Sequence, residues 1–310
     1  MLFCVDKTAF SVIILWKGRE SRATKNSLLS NGSENMGNEC NHNCEGCSEN
    51  CSSRGEIVKE KLMEGSRVGK LIAVVSGKGG VGKSFVTGLL ASGMNKLGKK
   101  TAILDGDVTG PSVPRMFGVT EHAAATEDGT AIIPAVSDSG VKLMSANLLL
   151  ASENDPVLWR GPMIADMVTR FWTEVQWGDV DYMFVDMPPG TGDVPLTVFQ
   201  SLPVDGIVVV TSPQELVSMI VEKAVKMARM MNVPIVGVVE NMSFVKCPCC
   251  GKEIEVFGKS NIRRITDEFG LRLLARIPID PEAADACDHG RISSVDPDCV
   301  TCALNEIQSL

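Results

Sequence analysis

The feature that most constrains the fold is a glycine-rich segment, Gly-Lys-Gly-Gly-Val-Gly-Lys-Ser at residues 77–84, directly after the apolar run 71–75. Glycines let backbone N–H groups turn inward around phosphate oxygens, Lys83 offers a charge to the β- and γ-phosphates, and the Ser84 hydroxyl is a magnesium ligand. A helix expected over residues 83–97 points the positive end of its dipole at the same anion. The pattern therefore predicts a phosphate-binding loop (P-loop) and a nucleotide site.

Downstream of Lys70, apolar β-branched runs alternate with helical stretches. Continuous runs of this kind suit strands that are buried on both faces of a parallel sheet. Right-handed crossovers then give a doubly wound sheet, with its ligand at the carboxyl ends of the strands. The sequence thus predicts an α/β fold with a doubly wound, mostly parallel sheet. The predicted strands lie at residues 71–75, 101–104, 182–185, 207–210, 235–239 and 273–277, and a long helix at 216–231.

Acidic residues follow two of these predicted strands. Asp107 is predicted to orient the attacking water and Asp105 to lie near the magnesium shell; a pair of turn aspartates is the alternative. Asp186 ends an apolar strand, the Walker B pattern, and is predicted to hold Mg²⁺ with Ser84. Gly190 is expected to place a backbone donor against the γ-phosphate, in a loop that relaxes when that phosphate leaves.

Asn241 follows the predicted strand at 235–239. Its side chain offers both a donor and an acceptor, which suits the edge of a purine. A turn asparagine with no ligand is the alternative. The residues expected to contact the nucleotide are Gly77, Gly79, Gly80, Val81, Gly82, Lys83, Ser84, Gly190 and Asn241.

The chain has 11 cysteines, most of them clustered. Cys247 and Cys250 form a C-x-x-C pair, which supplies half of the thiolates that a tetrahedral zinc or an iron–sulfur cluster needs. A two-fold axis would supply the other half from a second copy. Cys249 is an additional thiol within this motif. A second potential metal-binding group, for which zinc and iron remain alternatives, consists of Cys40, Cys44, Cys47 and Cys51.

Composition suggests three segments in the chain and disfavours some classes of binding partner. Residues 1–35 are predicted to be a leader or unstructured, residues 36–55 a cysteine-rich metal-binding segment, and residues 56–310 an ATPase domain that opens with a short helix over 56–67. A net charge of −8 disfavours nucleic acid and anionic membrane surfaces as partners. Clustered thiols without a convincing secretory signal indicate a cytoplasmic protein.

With lysine at its second position, the P-loop resembles that of the deviant Walker A ATPases: MinD, ParA and the nitrogenase iron protein. In that class this lysine reaches the phosphates of a partner subunit, so the resemblance implies an ATP-dependent homodimer in which Lys78, Lys83 and Asp107 are catalytic. Over residues 56–295 the chain resembles more specifically the Mrp/ApbC/Nbp iron–sulfur cluster carriers. The resemblance rests on residues 77–84, 104–114, 186–193 and 240–242, and on Cys247 and Cys250.

The carrier resemblance implies that Cys247 and Cys250 of two subunits hold a bridging [4Fe–4S] cluster. It further implies that Mg²⁺-dependent binding and hydrolysis of ATP are coupled to cluster delivery to apo-proteins. Two alternatives remain: a positioning ATPase like MinD or ParA with structural zinc, and an electron-transfer ATPase like the nitrogenase iron protein. The acidic charge disfavours the first, and the C-x-x-C spacing disfavours the second.

Overall fold

The computed structural model describes residues 59–107, 112–150, 161–190, 193–213 and 217–310. The strands are β1 (Arg67–Ser76), β2 (Thr101–Asp105), β3 (Ala124–Ala125), β4 (Ile132–Ile133), β5 (Ala135–Val136), β6 (Lys142–Met144), β7 (Asp179–Asp186), β8 (Gly206–Thr211), β9 (Ile235–Glu240), β10 (Val245–Lys246), β11 (Glu253–Ile254) and β12 (Leu273–Arg276). The α-helices are α1 (Lys83–Lys96), α2 (Val113–Met116), α3 (Gly161–Glu174), α4 (Asp193–Ser201), α5 (Val217–Met231), α6 (Ile262–Phe269), α7 (Pro281–Asp288) and α8 (Thr301–Gln308). Short 3₁₀ turns lie at Ala146–Leu149, Ile292–Ser294 and Pro297–Val300.

An eight-stranded sheet forms the centre of the protein, in the order β12-β9-β8-β1-β7-β2-β6-β5. Its strand pairs are parallel except for the antiparallel edge strand β5 beside β6. This arrangement confirms the predicted doubly wound, mostly parallel sheet. β1 lies between β7 and β8, so the P-loop leaves the sheet near its middle.

The apolar runs from which the strands were predicted are buried, as expected for a sheet that is covered on both faces. Every residue of β2 and β8 is buried, and so is the second half of β1. Helix α5 buries one face, including Ile220 and Val221, against the sheet. The parallel strands bring Asp105, Asp186 and Glu240 to the same edge of the sheet, with Asp105 directly opposite Asp186 in the β2–β7 register.

The predicted helix at 56–67 is wrong for its described part, because residues 59–66 contain no helix. The backbone there bonds to other elements instead: the amide of Glu60 donates to Ser201 O at 2.8 Å, and the indole of Trp172 donates to Glu60 O at 3.0 Å. β6 and the two-residue strands were not predicted. Among the residues described, no helix has the length and apolar character that crossing a membrane would require.

Candidate functional site

The P-loop connects β1 to α1 through glycines whose backbone conformation or close packing leaves little room for a side chain. Gly80 and Gly82 have φ values of 79° and 75°, in the left-handed region that disfavours side chains. Gly82 caps α1, and a Cβ there would overlap the side-chain amide of Asn241. A Cβ on Gly77 would overlap Ile220 of α5. Packing on both sides thus fixes the shape of the loop.

Lys83, at the first turn of α1, is buried against the Walker B carboxylate. Its Nζ lies 2.6 Å from Asp186 Oδ1, and the side chains are only 5% and 0% exposed. Ser84 Oγ donates to Asp186 Oδ2 at 2.5 Å, and Thr87 Oγ1 donates to Oδ1 at 3.0 Å. The structure therefore brings Lys83 and Ser84 into contact with Asp186, which lies 103 and 102 residues further along the chain. Thr87, which was not predicted, joins them.

The predicted Mg²⁺ ligands fit that ion. Ser84 and Asp186 present a hydroxyl and a carboxylate oxygen in contact with each other, and Mg²⁺ prefers oxygen ligands of this kind. The hydrogen bond between Ser84 and Asp186 would give way to a bound ion, and the serine hydroxyl would keep its proton and turn it away from the carboxylate. Lys83 Nζ also lies at this edge of the sheet, where it balances the negative charge.

Asp105 and Asp107 complete the acidic side of the site. Asp107 Oδ2 lies 3.5 Å from Lys83 Nζ, and its side chain is partly accessible at 14%. Asp105 is buried, and its Oδ2 has no hydrogen-bond partner within the described residues. Burial, followed by the neighbouring charge of Asp186, raises the pKa of Asp105 to about 8, although Lys83 acts against this shift.

Two predicted nucleotide contacts have other partners in this structure. Asn241 Nδ2 donates to the P-loop carbonyl of Val81 at 2.9 Å, so this buried side chain braces the loop. The amide of Gly190 donates to Ser76 O at 2.8 Å. For this amide to reach a phosphate, the loop after β7 must first release β1. Contact of Asn241 with the base and of Gly190 with phosphate remain predictions.

Lys78 lies at the exposed front of the P-loop. Its backbone carbonyl accepts a hydrogen bond from Ser76 Oγ at 3.1 Å, which anchors the main chain at this position. The exposure is what a residue that contacts a second subunit requires, and the contact itself remains a prediction. Gly79 and Gly80 are also exposed, and a Cβ on either would meet open space.

The C-x-x-C motif forms the tip of a small hairpin, which we call the Cys hairpin (residues 245–254, with β10 and β11 as its strands). Cys247 N donates to Lys252 O at 2.9 Å, and Gly251 N donates to Cys247 O at 2.8 Å. Hydrogen bonds from the amides of Cys249 and Cys250, and from the Cys250 thiol, lower the pKa of Cys247. The loop thus favours a thiolate at Cys247 and holds Cys250 beside it.

This pair alone is an incomplete metal site. Within the described part of the chain, no group of three or more His, Cys, Asp or Glu side chains is placed to hold a metal ion. The described cysteines are all free. Cys299 is half-buried, and burial raises the pKa of its thiol, so it is less suited than Cys247 to bind a metal. The predicted group of Cys40, Cys44, Cys47 and Cys51 lies outside the described residues.

Iron–sulfur cluster carrier proteins are similar to the chain: that of Methanocaldococcus jannaschii is 41% identical over 259 residues (81% of this chain and 89% of the relative). That of Clostridium perfringens is 44% identical over 227 residues (71% of this chain and 80% of the relative).

Solved structures show the same fold. A nucleotide-binding protein of Archaeoglobus fulgidus in complex with ADP is 39% identical, with a TM-score of 0.68 over 76% of this chain and 91% of that chain. The MinC:MinD cell division complex of Aquifex aeolicus includes a chain that shares the fold at 18% identity, with a TM-score of 0.55 over 77% of this chain and 94% of that chain. Residues 67–308 match the family model of the NUBPL iron-transfer P-loop NTPases. The chain therefore belongs to the NUBPL iron-transfer P-loop NTPase family.

Proposed function

We propose that this protein is an ATP-dependent carrier that assembles iron–sulfur clusters or transfers them to apo-proteins. The observation that carries the proposal is the Cys hairpin. It lies at the edge of the sheet where the P-loop lies, and its amide hydrogen bonds favour the thiolate form of Cys247. Thiolates are the ligands of iron–sulfur clusters. The names of the similar proteins support the same conclusion.

The working form that we propose is a homodimer with a bridging [4Fe–4S] cluster. One chain supplies Cys247 and Cys250, and a two-fold axis would bring the same pair from a second copy, which completes four thiolates. Lys78 would contact the partner's phosphates. Each chain of such a shared site needs to supply two thiolates, and no larger group of possible metal ligands lies together among the described residues.

ATP hydrolysis is the proposed source of conformational change. Lys83 would neutralise phosphate charge, Ser84 and Asp186 would hold Mg²⁺, and Asp107 would orient the attacking water. The contacts of Lys83 with Asp186 and Asp107, at 2.6 and 3.5 Å, support this assignment because they gather the required groups at one point. Release of Gly190 from Ser76 would let the loop after β7 respond to the γ-phosphate.

The proposed cellular compartment and the proposed recipient proteins both depend on the iron–sulfur cluster that the protein would carry. A carrier needs reduced thiols, which the cytoplasm maintains, so we propose that the protein works there and delivers clusters to apo-proteins. Cys40, Cys44, Cys47 and Cys51 are proposed to hold a second cluster. Its structure lies outside the described residues, and zinc remains the competing metal.

Anaerobic reconstitution of the full chain with iron and sulfide tests this function. Compared with wild type, the Cys247→Ala/Cys250→Ala variant should lose about four irons per dimer and retain ATP binding. The matched control is Cys302→Ala, because Cys302 is also an exposed free thiol and should not affect iron content. Native mass spectrometry should show two chains per bridging cluster. A strictly monomeric protein that holds both iron and nucleotide, or iron content unaffected by the double substitution, would refute the proposal.

A further inference from the structure

Arg276, the last residue of β12, joins the central sheet to the Cys hairpin. Its Nε lies 2.9 Å from Ser243 Oγ and 3.5 Å from Glu240 Oε2. Its Nη1 lies 3.5 Å from Glu253 Oε2, and Nη2 lies 3.4 Å from Glu255 Oε1. Each nitrogen of one planar guanidinium thus contacts a different carboxylate, and the side chain is only 24% exposed.

On the side of the sheet, these contacts lead directly to the P-loop. Glu240 ends β9, is buried, and accepts hydrogen bonds from Ser243 and, at 2.5 Å, from Ser260. The next residue, Asn241, donates to the P-loop carbonyl of Val81. Two consecutive residues therefore connect Arg276 to the loop that binds the nucleotide.

On the side of the hairpin, Arg276 links the return strand β11 to the sheet, whereas main-chain hydrogen bonds link the first strand. The first strand is anchored to the sheet through main-chain bonds: Ser243 N donates to Ile277 O at 2.8 Å, and Ile279 N donates to Phe244 O at 2.7 Å. The return strand pairs with the first over two residue pairs only, Val245 with Ile254 and Lys246 with Glu253. A hairpin this short is not stable by itself.

The charges around Arg276 make its role specific. Glu240, Glu253 and Glu255 are three carboxylates that share one guanidinium, so its removal leaves like charges that repel the return strand from the sheet. The guanidinium also lies over the ring of Phe244, 5.2 Å from its centroid. Lysine offers a point charge without this planar set of donors and cannot reproduce contacts in three directions.

We propose that Arg276 is a positioning residue that transmits the nucleotide state of the P-loop to the orientation of the Cys hairpin. This inference rests on the proposed function for its biological meaning, since the hairpin orientation decides how two C-x-x-C pairs face one bridging cluster. The contacts that carry it join side chains and backbone of this chain alone.

Hydrogen–deuterium exchange of the metal-free full-length chain, with and without a non-hydrolysable ATP analogue and Mg²⁺, tests the proposal. In wild type the analogue should change exchange at the Cys247 and Gly251 amides. In Arg276→Met, these amides should exchange roughly ten- to a hundredfold faster, the effect expected for the loss of a charged hydrogen-bonding partner. The analogue should then have no effect on them, while its affinity stays within about twofold of wild type, because Arg276 does not contact the P-loop.

Arg272→Met is the matched control, because this exposed arginine precedes β12 and pairs with Glu306 of α8. It should behave as wild type. Arg276→Lys should keep the fold and still lose the response to the analogue, which separates coupling from stability if Arg276→Met fails to fold. A nucleotide response that persists in either Arg276 variant overturns the inference. Because this assay needs no cluster, a wild-type response without iron binding would sink the proposed function and leave the inference standing.

Discussion

Replacement of Asp105 by asparagine is expected to stabilise the nucleotide-free protein by an amount that grows with pH. The side chain is 2% exposed, and Oδ2 lacks a hydrogen-bond partner among the described residues. Burial and the charge of Asp186 raise the pKa of Asp105 from 3.8 to about 8. Ionisation of this carboxyl is therefore more costly in the folded protein than in the unfolded chain.

The magnitude follows from this difference in pKa. Between pH 4 and 8 the unfolded chain has released a proton that the folded protein still holds, so the free energy of unfolding falls as pH rises, by about 1.4 kcal/mol per pH unit. Between the unfolded pKa of 3.8 and the folded pKa of about 8, the free energy of unfolding falls by on the order of 5 kcal/mol. Asparagine does not ionise, so the variant does not lose this stability. For a domain of this size, the melting temperature of the variant should exceed that of wild type by on the order of 10 °C at pH 8.

Thermal and urea denaturation of both proteins, free of Mg²⁺ and nucleotide, at pH 4.5, 6 and 8 provide the assay. The difference between variant and wild type should be small at pH 4.5 and largest at pH 8, so that the lowest pH serves as the internal control. Asp105 Oδ1 accepts from the Asp107 amide at 3.1 Å, a bond that asparagine can keep. The reasoning would be refuted by a stability difference between variant and wild type that does not depend on pH, or by a wild type that is more stable than the variant at pH 8.

Three other predictions concern the P-loop and the thiols. Lys83→Ala should weaken ATP binding at least roughly tenfold in calorimetry, because it removes a buried positive charge from the site. Lys78→Ala, at an exposed position, should keep the affinity for ATP and slow its hydrolysis. Equal losses of ATP affinity in the two variants would contradict these separate roles. Gly82→Ala should lower stability by on the order of 2 kcal/mol in urea titration, since φ there is 75°; an unchanged midpoint would argue against it. Iodoacetamide should label Cys247 at lower pH than Cys299, because amide hydrogen bonds lower the pKa of Cys247 and burial raises that of Cys299; peptide mass spectrometry between pH 6 and 9 would show the reverse order if the hairpin geometry is wrong.

The strands that the sequence predicted are those whose signal is local. The second half of β1 and all of β8 are buried, largely apolar runs, and a run buried on both faces needs no knowledge of its neighbours. β6 is a three-residue strand with a half-buried lysine, and β5 has only two residues, so neither carries a pattern. Their pairing depends on the existing edge at β2. The segment at 59–66 likewise depends on backbone acceptors in distant helices.

The same division applies to the candidate site. The P-loop motif predicted Lys83 and Ser84, and the Walker B pattern predicted Asp186, because phosphate and magnesium binding require these residue types at these spacings. The structure places the three side chains in contact, and their binding of phosphate and magnesium remains a prediction. Asn241 shows the limit: its residue type suits a purine, and only the fold reveals that it bonds the carbonyl of Val81. Arg276 carried no signal, since its role comes from carboxylates distant along the chain.

The Cys hairpin forms a two-stranded sheet of its own, separate from the eight-stranded sheet that carries the nucleotide site. It is an insert between β9 and α6, and none of the strands of the central sheet needs it to complete its pairing. Under the proposed function, a different metal-binding insert at this point would leave the pairing of the central sheet unchanged, provided that it offers acidic side chains to Arg276.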